Sequence, residues 1–118
     1  EANRSHNIEL ARLSAEETTA AMAGKRPFRR LADLKQSLAD YQFDTLLVDP
    51  PRAGLDAATL GLASSFKRVL YISCNPKTLS DNLATLSSTH SIEGLAFFDQ
   101  FPYTHHLESG VVLSKKTK

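Results

Sequence analysis

The residues of this 118-residue chain that could do chemistry gather at two places, each directly after a short apolar run. Asp49-Pro50-Pro51-Arg52-Ala53-Gly54 follows the run ending at Val48, and Ser73-Cys74-Asn75-Pro76 follows Val69-Leu70-Tyr71-Ile72. In open parallel sheets ligands bind outside the carboxyl ends of the strands, so polar residues at such exits are the first candidates. Paired prolines make a rigid exit, which suits a turn that grips a flat group, with Asp49 held at the strand's edge. Arg52 reads either as an exposed loop charge or as a phosphate contact. Cys74 is the sole cysteine. By type it is a small buried residue. By position, between a strand end and a helix N-terminus, it sits where the helix dipole and free N–H groups favour a nucleophilic thiolate.

A nucleophile also needs a proton acceptor, and His105, His106 and Glu108 stand together after Pro102. The block from Phe98 to Glu108 concentrates aromatic and polar groups, although an exposed turn would do the same. A Cys–His pairing of the thiol-hydrolase kind and a weak metal site at His105 and His106 both stay open at this point. Neither has a complete constellation.

The elements that must position these groups can be read from periodicity. Ile8, Leu10 and Leu13 suggest a short strand. Ser14-Ala15-Glu16-Glu17 then matches a capping box, so a helix is expected from there to near Gly24. Lys25 to Arg30 is a basic stretch interrupted by Pro27, followed by Leu31, Leu34 and Leu38 at helical spacing. Phe43–Val48 and Val69–Ile72 read as buried strands. Asp56 can cap a helix through Ala63, and Asn75-Pro76 can open another, with Leu79, Leu83 and Leu86 as its apolar face. Ile92–Phe101 and Gly110–Leu113 should be antiparallel strands. The expected class is α/β, a parallel sheet with a terminal antiparallel hairpin.

Composition bounds the rest. Fourteen Lys and Arg against 13 Asp and Glu leave a net charge of +1, so charge alone makes no case for nucleic acid. One cysteine excludes an internal disulfide framework and a Cys-rich zinc or iron–sulfur site, and the default compartment is cytoplasmic. No apolar run approaches the roughly 18 residues of a membrane span.

Three ordered blocks together resemble one family. Val48-Asp49-Pro50-Pro51-Arg52-Ala53-Gly54-Leu55-Asp56, Tyr71-Ile72-Ser73-Cys74-Asn75-Pro76-Lys77-Thr78-Leu79 and Phe98 to Glu108 look like the RNA 5-methyluridine methyltransferases, which use S-adenosylmethionine. Within it, Phe98 to His106 and Ser14-Ala15-Glu16-Glu17 look most like the tRNA branch that modifies the T-loop uridine, ahead of the ribosomal-RNA members. The resemblance implies Cys74 as nucleophile, Glu108 as general base and Asp49 at the S-adenosylmethionine site, with no metal. It also implies a tRNA substrate and a target base taken out of its stack, which Tyr103 or Phe101 would help to hold.

The family's glycine-rich cofactor loop and its upstream RNA-contacting segments have no counterpart here. Residues 1–118 therefore read as the C-terminal portion of a class I, Rossmann-like catalytic domain, expected to be inactive alone. That fold's strand order, 3-2-1-4-5-7-6, implies that this piece retains strand 3 and strands 4 to 7 without the central pair. The Phe43–Val48 strand is therefore expected to have an open edge that either pairs with a second copy or is relieved by rearrangement of the first strand. Two rivals differ in chemistry. Asp-Pro-Pro also resembles the turn of amino-methyltransferases, although Arg52 stands where their aromatic residue would be. A non-catalytic RNA-binding module would keep the sheet without needing Cys74.

Overall fold

The computed structural model describes residues 15–22, 24, 42–98 and 108–117, and the chain forms two compact units, Glu1–Gln42 and Phe43–Lys118. In the first unit, helix α1 spans Ala15–Met22. Gly24 follows with φ +70°, its N–H donating to the Ala21 carbonyl at 3.1 Å. Glycine takes that left-handed conformation without the penalty a Cβ brings, so the helix stops where the sequence reading put its end. The expected strand around Ile8–Leu13, the Ser14 cap, the basic stretch Lys25–Arg30 and the Leu31–Leu38 segment lie outside the described residues.

Among the described residues, the second unit is one four-stranded sheet with two helices. Strand β1 (Thr45–Val48) leads through α2 (Ala57–Ala63) to β2 (Arg68–Ser73), and β2 leads through α3 (Pro76–Leu86) to β3 (His90–Phe98) and β4 (Glu108–Lys115). The sheet order is β1-β2-β4-β3, with β1 and β2 parallel and the other neighbours antiparallel. A parallel pair needs a crossover, and α2 supplies it. This is the 4-5-7-6 part of the order that the resemblance implies, so the chain has the expected C-terminal portion of a class I sheet and its antiparallel hairpin.

Both helices start as the sequence dictates. Asp56 accepts from the Thr59 N–H at 2.7 Å, which holds its carboxyl below the ordinary aspartate value. Asn75 caps α3 by accepting from the Lys77 N–H at 3.1 Å, with Pro76 in the first turn. Each cap satisfies an N–H group that the helix itself leaves without a partner.

The core lies on one face of the sheet. Val69 and Tyr71 on β2 stand opposite Leu113 and Val111 on β4, and all four are buried. Ala63, Phe66, Leu79 and Leu86 complete it. A fully buried leucine such as Leu86 contributes about 1.5–3 kcal/mol. Strands β2, β3 and β4 start one or two residues earlier than the sequence reading put them, whereas β1 starts at Thr45 rather than Phe43 and, as the outer strand, is not the buried strand expected. β3 starts at His90, whose backbone is paired with Lys115 and whose buried ring reaches the Phe66 carbonyl at 2.7 Å. Because that carbonyl only accepts, Nε2 of His90 is the donor.

The two outer strands are the exposed ones. Leu47 on β1 is 62% exposed and Phe97 on β3 is 62% exposed, against 0% for Val69 on the central β2. Among the described residues β1 pairs with β2 alone. No described helix is long and apolar enough to cross a membrane.

Candidate functional site

Asp49, Cys74 and Glu108 come to the same end of the sheet. Val48, the last residue of β1, is level with Tyr71, and Asp49 follows it. Ser73, the last residue of β2, is paired with Ser109 of β4. One step further along each strand are Cys74 and Glu108, so the antiparallel register brings these two positions side by side at the carboxyl end of β2. Residues 34 positions apart in sequence are thus neighbours in the fold. Glu108 and Cys74 are half-buried and Asp49 is exposed, an accessibility that admits a ligand.

The backbone around Cys74 is pinned from both sides. Ser73 is buried, and its hydroxyl donates to the Asn75 carbonyl at 2.9 Å while accepting from the Asn75 N–H at 3.0 Å. One side chain thereby spans Cys74 and fixes the turn on which it is presented. Asn75 holds the other side as the α3 cap.

The two candidate turns are also tied to each other. The Arg52 carbonyl accepts from Asn75 Nδ2 at 3.0 Å and from the Thr78 hydroxyl at 2.9 Å. The Pro51–Gly54 segment closes on itself through a Gly54 N–H to Pro51 carbonyl bond of 2.9 Å. Next along the chain, the Leu55 N–H donates to Oδ1 of Asn82 at 2.9 Å, and the Tyr71 hydroxyl donates to the same oxygen at 2.6 Å. A backbone N–H cannot accept, which fixes the orientation of the Asn82 amide. The Asp49–Asp56 turn is therefore held along the first two turns of α3.

Gly54 shows how close that approach is. Its φ is +80°, and a Cβ there would stand 2.7 Å from Asn82 Oδ1 and 3.1 Å from Thr78 Cβ. Only glycine combines this backbone conformation with this contact. Burial pushes the Tyr71 phenol up from its ordinary range; the Leu55 N–H opposes this, and the Cys74 side chain adds a smaller push in the same direction as burial.

The sequence-derived candidates divide accordingly. Asp49, Cys74 and Glu108 lie at the same end of the sheet, and Arg52, which is exposed, contributes its backbone carbonyl. Phe101, Tyr103, His105 and His106 lie outside the described residues. Among those described, no group of three His, Cys, Asp or Glu could hold a metal ion. An exposed carboxylate such as Asp49 can accept from a ligand hydroxyl or ammonium group. Sequence reading missed Asn82, although a signal was there. Leu79, Asn82, Leu83 and Leu86 have i, i+3, i+4, i+7 spacing, so a polar residue stood in the apolar stripe of α3.

Known proteins resemble this chain over nearly its whole length. The family model described as tRNA (Uracil-5-)-methyltransferase matches residues 1–116. A tRNA/tmRNA (uracil-C(5))-methyltransferase of Neisseria meningitidis serogroup C is 61% identical over 116 residues, which are 98% of this chain and 32% of that protein. The enzyme of the same description from Acinetobacter baylyi is 60% identical over 113 residues, 96% of this chain and 31% of the relative. Among solved structures, the Pyrococcus abyssi tRNA (uracil-54, C5)-methyltransferase in complex with S-adenosyl-L-homocysteine matches with a TM-score of 0.56 and 36% identity, over 63% of this chain and 19% of its own. The chain thus spans about a third of the length of the curated relatives it matches. With a model match over nearly its full length, the chain belongs to the tRNA (uracil-5-)-methyltransferase family.

Proposed function

We propose that the protein to which this chain belongs methylates C5 of a uridine in tRNA, through covalent addition of Cys74 to the uracil ring, and that this chain supplies the nucleophile and the base. The observation that carries the proposal is the register of β2 and β4, which makes Cys74 and Glu108 neighbours at the carboxyl end of the sheet. The curated relatives described as tRNA/tmRNA (uracil-C(5))-methyltransferases and the Pyrococcus abyssi structure support it.

The chemistry requires two such groups. C5 of uracil is a poor nucleophile. Addition of the Cys74 sulfur at C6 breaks the C5–C6 double bond and leaves an enolate whose electron density is on C5. S-adenosylmethionine, when bound, supplies the electrophilic methyl group that C5 takes up. Glu108 then accepts the proton from C5, and elimination re-forms the C5–C6 double bond and returns the electron pair to the Cys74 sulfur. Asp49, an exposed acceptor on a turn with a fixed backbone, is the residue of this chain that fits a hydroxyl or ammonium group of the methyl donor. A tRNA substrate fits a cytoplasmic protein.

The test uses the full-length protein with T-arm RNA in which the target uridine is 5-fluorouridine, together with S-adenosylmethionine. Fluorine at C5 cannot leave as a proton does, so a stable protein–RNA complex should survive denaturing electrophoresis and disappear in Cys74→Ala. Methylation of ordinary T-arm RNA by Cys74→Ala at the wild-type rate would overturn the reading, and it is the result that a Cys-independent amine methylation would give.

A further inference from the structure

We propose that Asn82 is a positioning residue of this site: its carboxamide oxygen fixes the Asp49–Asp56 turn against α3 and so holds Asp49 and the backbone flanking Cys74 in one frame. This rests on the methyltransferase reading above. Asn82 is buried, 8% exposed, yet polar, and it faces inward from the same stripe as Leu79 and Leu86. Its one oxygen takes two donors from different parts of the fold, the Leu55 N–H at 2.9 Å and the Tyr71 hydroxyl at 2.6 Å. Leu55 is in the turn that follows β1, whereas Tyr71 lies three residues before Cys74 on β2.

The consequences run through the backbone. With Leu55 held, Gly54 lies against α3, and the Arg52 carbonyl meets Asn75 Nδ2 and the Thr78 hydroxyl at 3.0 and 2.9 Å. Asn75 is the residue directly after Cys74. Releasing the turn at Leu55 therefore frees one bond at the neighbour of the nucleophile and a second at Thr78, while leaving the nucleophile itself unchanged. A core leucine at position 82 would fill the space and satisfy the helix, so the polar residue is explained by the turn it holds.

The experiment measures the rate of covalent adduct formation by the full-length protein on 5-fluorouridine T-arm RNA at saturating RNA and S-adenosylmethionine, with RNA affinity and thermal unfolding measured alongside. Asn82→Leu should slow adduct formation by about 10- to 100-fold, the scale on which small misplacement of reacting groups acts. RNA affinity should change by less than about threefold, because the site's geometry and not its charge is disturbed. Asn82→Asp keeps both acceptor contacts and should restore the rate to within about fivefold of wild type. Gly54→Ala supplies a second route, because its methyl group would wedge the turn away from an intact Asn82; the same slowing is expected, and this variant decides the matter if Asn82→Leu does not fold. Wild-type adduct rates in folded Asn82→Leu or in Gly54→Ala, or an Asn82→Asp as slow as Asn82→Leu, would overturn the inference. Failure of the wild-type protein to form any adduct would instead sink the underlying reading of Cys74.

Discussion

Ser73 and Ser109 face each other as the last register pair of β2 and β4, and both are buried. Cys74 and Glu108 are the next residues on their strands. As the proposed nucleophile and base they would have separable duties, because one opens the covalent intermediate and the other permits its breakdown. In the full-length protein Glu108→Gln should therefore lose about 10²–10⁴-fold in turnover on ordinary T-arm RNA. It should nevertheless accumulate a covalent protein–RNA complex, since addition and methylation need no proton acceptor at position 108. Denaturing electrophoresis reads both quantities. A Glu108→Gln protein with low turnover and no complex would assign Glu108 to an earlier step.

Tyr71 provides a prediction in pH. Burial raises its phenol above the ordinary 10.0. The folded chain then holds its proton more tightly than the unfolded chain does. The corresponding stability is complete below about pH 10 and is lost as the pH rises through the folded value. The difference in urea midpoint between wild type and Tyr71→Phe should accordingly shrink as the pH is raised past 10. Of the three tyrosines in the sequence, one should ionise late in an absorbance titration, and that component should vanish in Tyr71→Phe. A late component that persists in the variant would mean that the buried phenol is another tyrosine.

His90 has a structural duty that urea unfolding can measure. Its Nε2 donates to the Phe66 carbonyl at 2.7 Å, and Nδ1 is 2.8 Å from the Thr89 hydroxyl, both within a site that leaves the ring 2% exposed. Replacing it by Ala removes the donor and opens a cavity, at a cost of about 2–4 kcal/mol. Gln, which can still present an N–H to Phe66, should recover part of that loss. His90 pairs with Lys115, at the far end of β4 from Glu108. The adduct rate per folded molecule should thus be unchanged, and a tenfold loss in folded His90→Gln would show coupling that the register does not predict.

Much of this architecture could be read from local chemistry. Asp56, Asn75 and Pro76 announce their helices because capping depends only on a few adjacent residues. The apolar runs of β1 and β2 and the polar exits after them are equally local. What sequence alone could not give is which distant groups meet. The pairing of Ser73 with Ser109, and the meeting of Leu55, Tyr71 and Asn82 at one oxygen, depend on strand register and helix placement. Asn82 illustrates the limit well: its position in an apolar stripe marks it as unusual, but its two donors come from 27 and 11 residues away. Residue types offer His105, His106 and Glu108 alike as partners of Cys74, and the family resemblance is what singles out Glu108.

The remaining prediction concerns the free side of β1. Among the described residues this strand is bonded to β2 alone, and Phe43 and Leu47 beside it are 48% and 62% exposed. A strand edge offers unpaired N–H and C=O groups in register for a second strand, and apolar side chains next to it favour that contact. We therefore expect the isolated 118-residue chain to associate with itself as its concentration rises, visible in light scattering as a mass above that of one chain. Leu47→Lys should weaken the association, because a second copy would have to bring a like charge to the same edge. The substitution leaves buried Val69 and Leu113 untouched, so its effect on unfolding should be small, within about 0.5 kcal/mol. A profile that stays at one chain's mass at high concentration would rule out the open edge as a self-association surface.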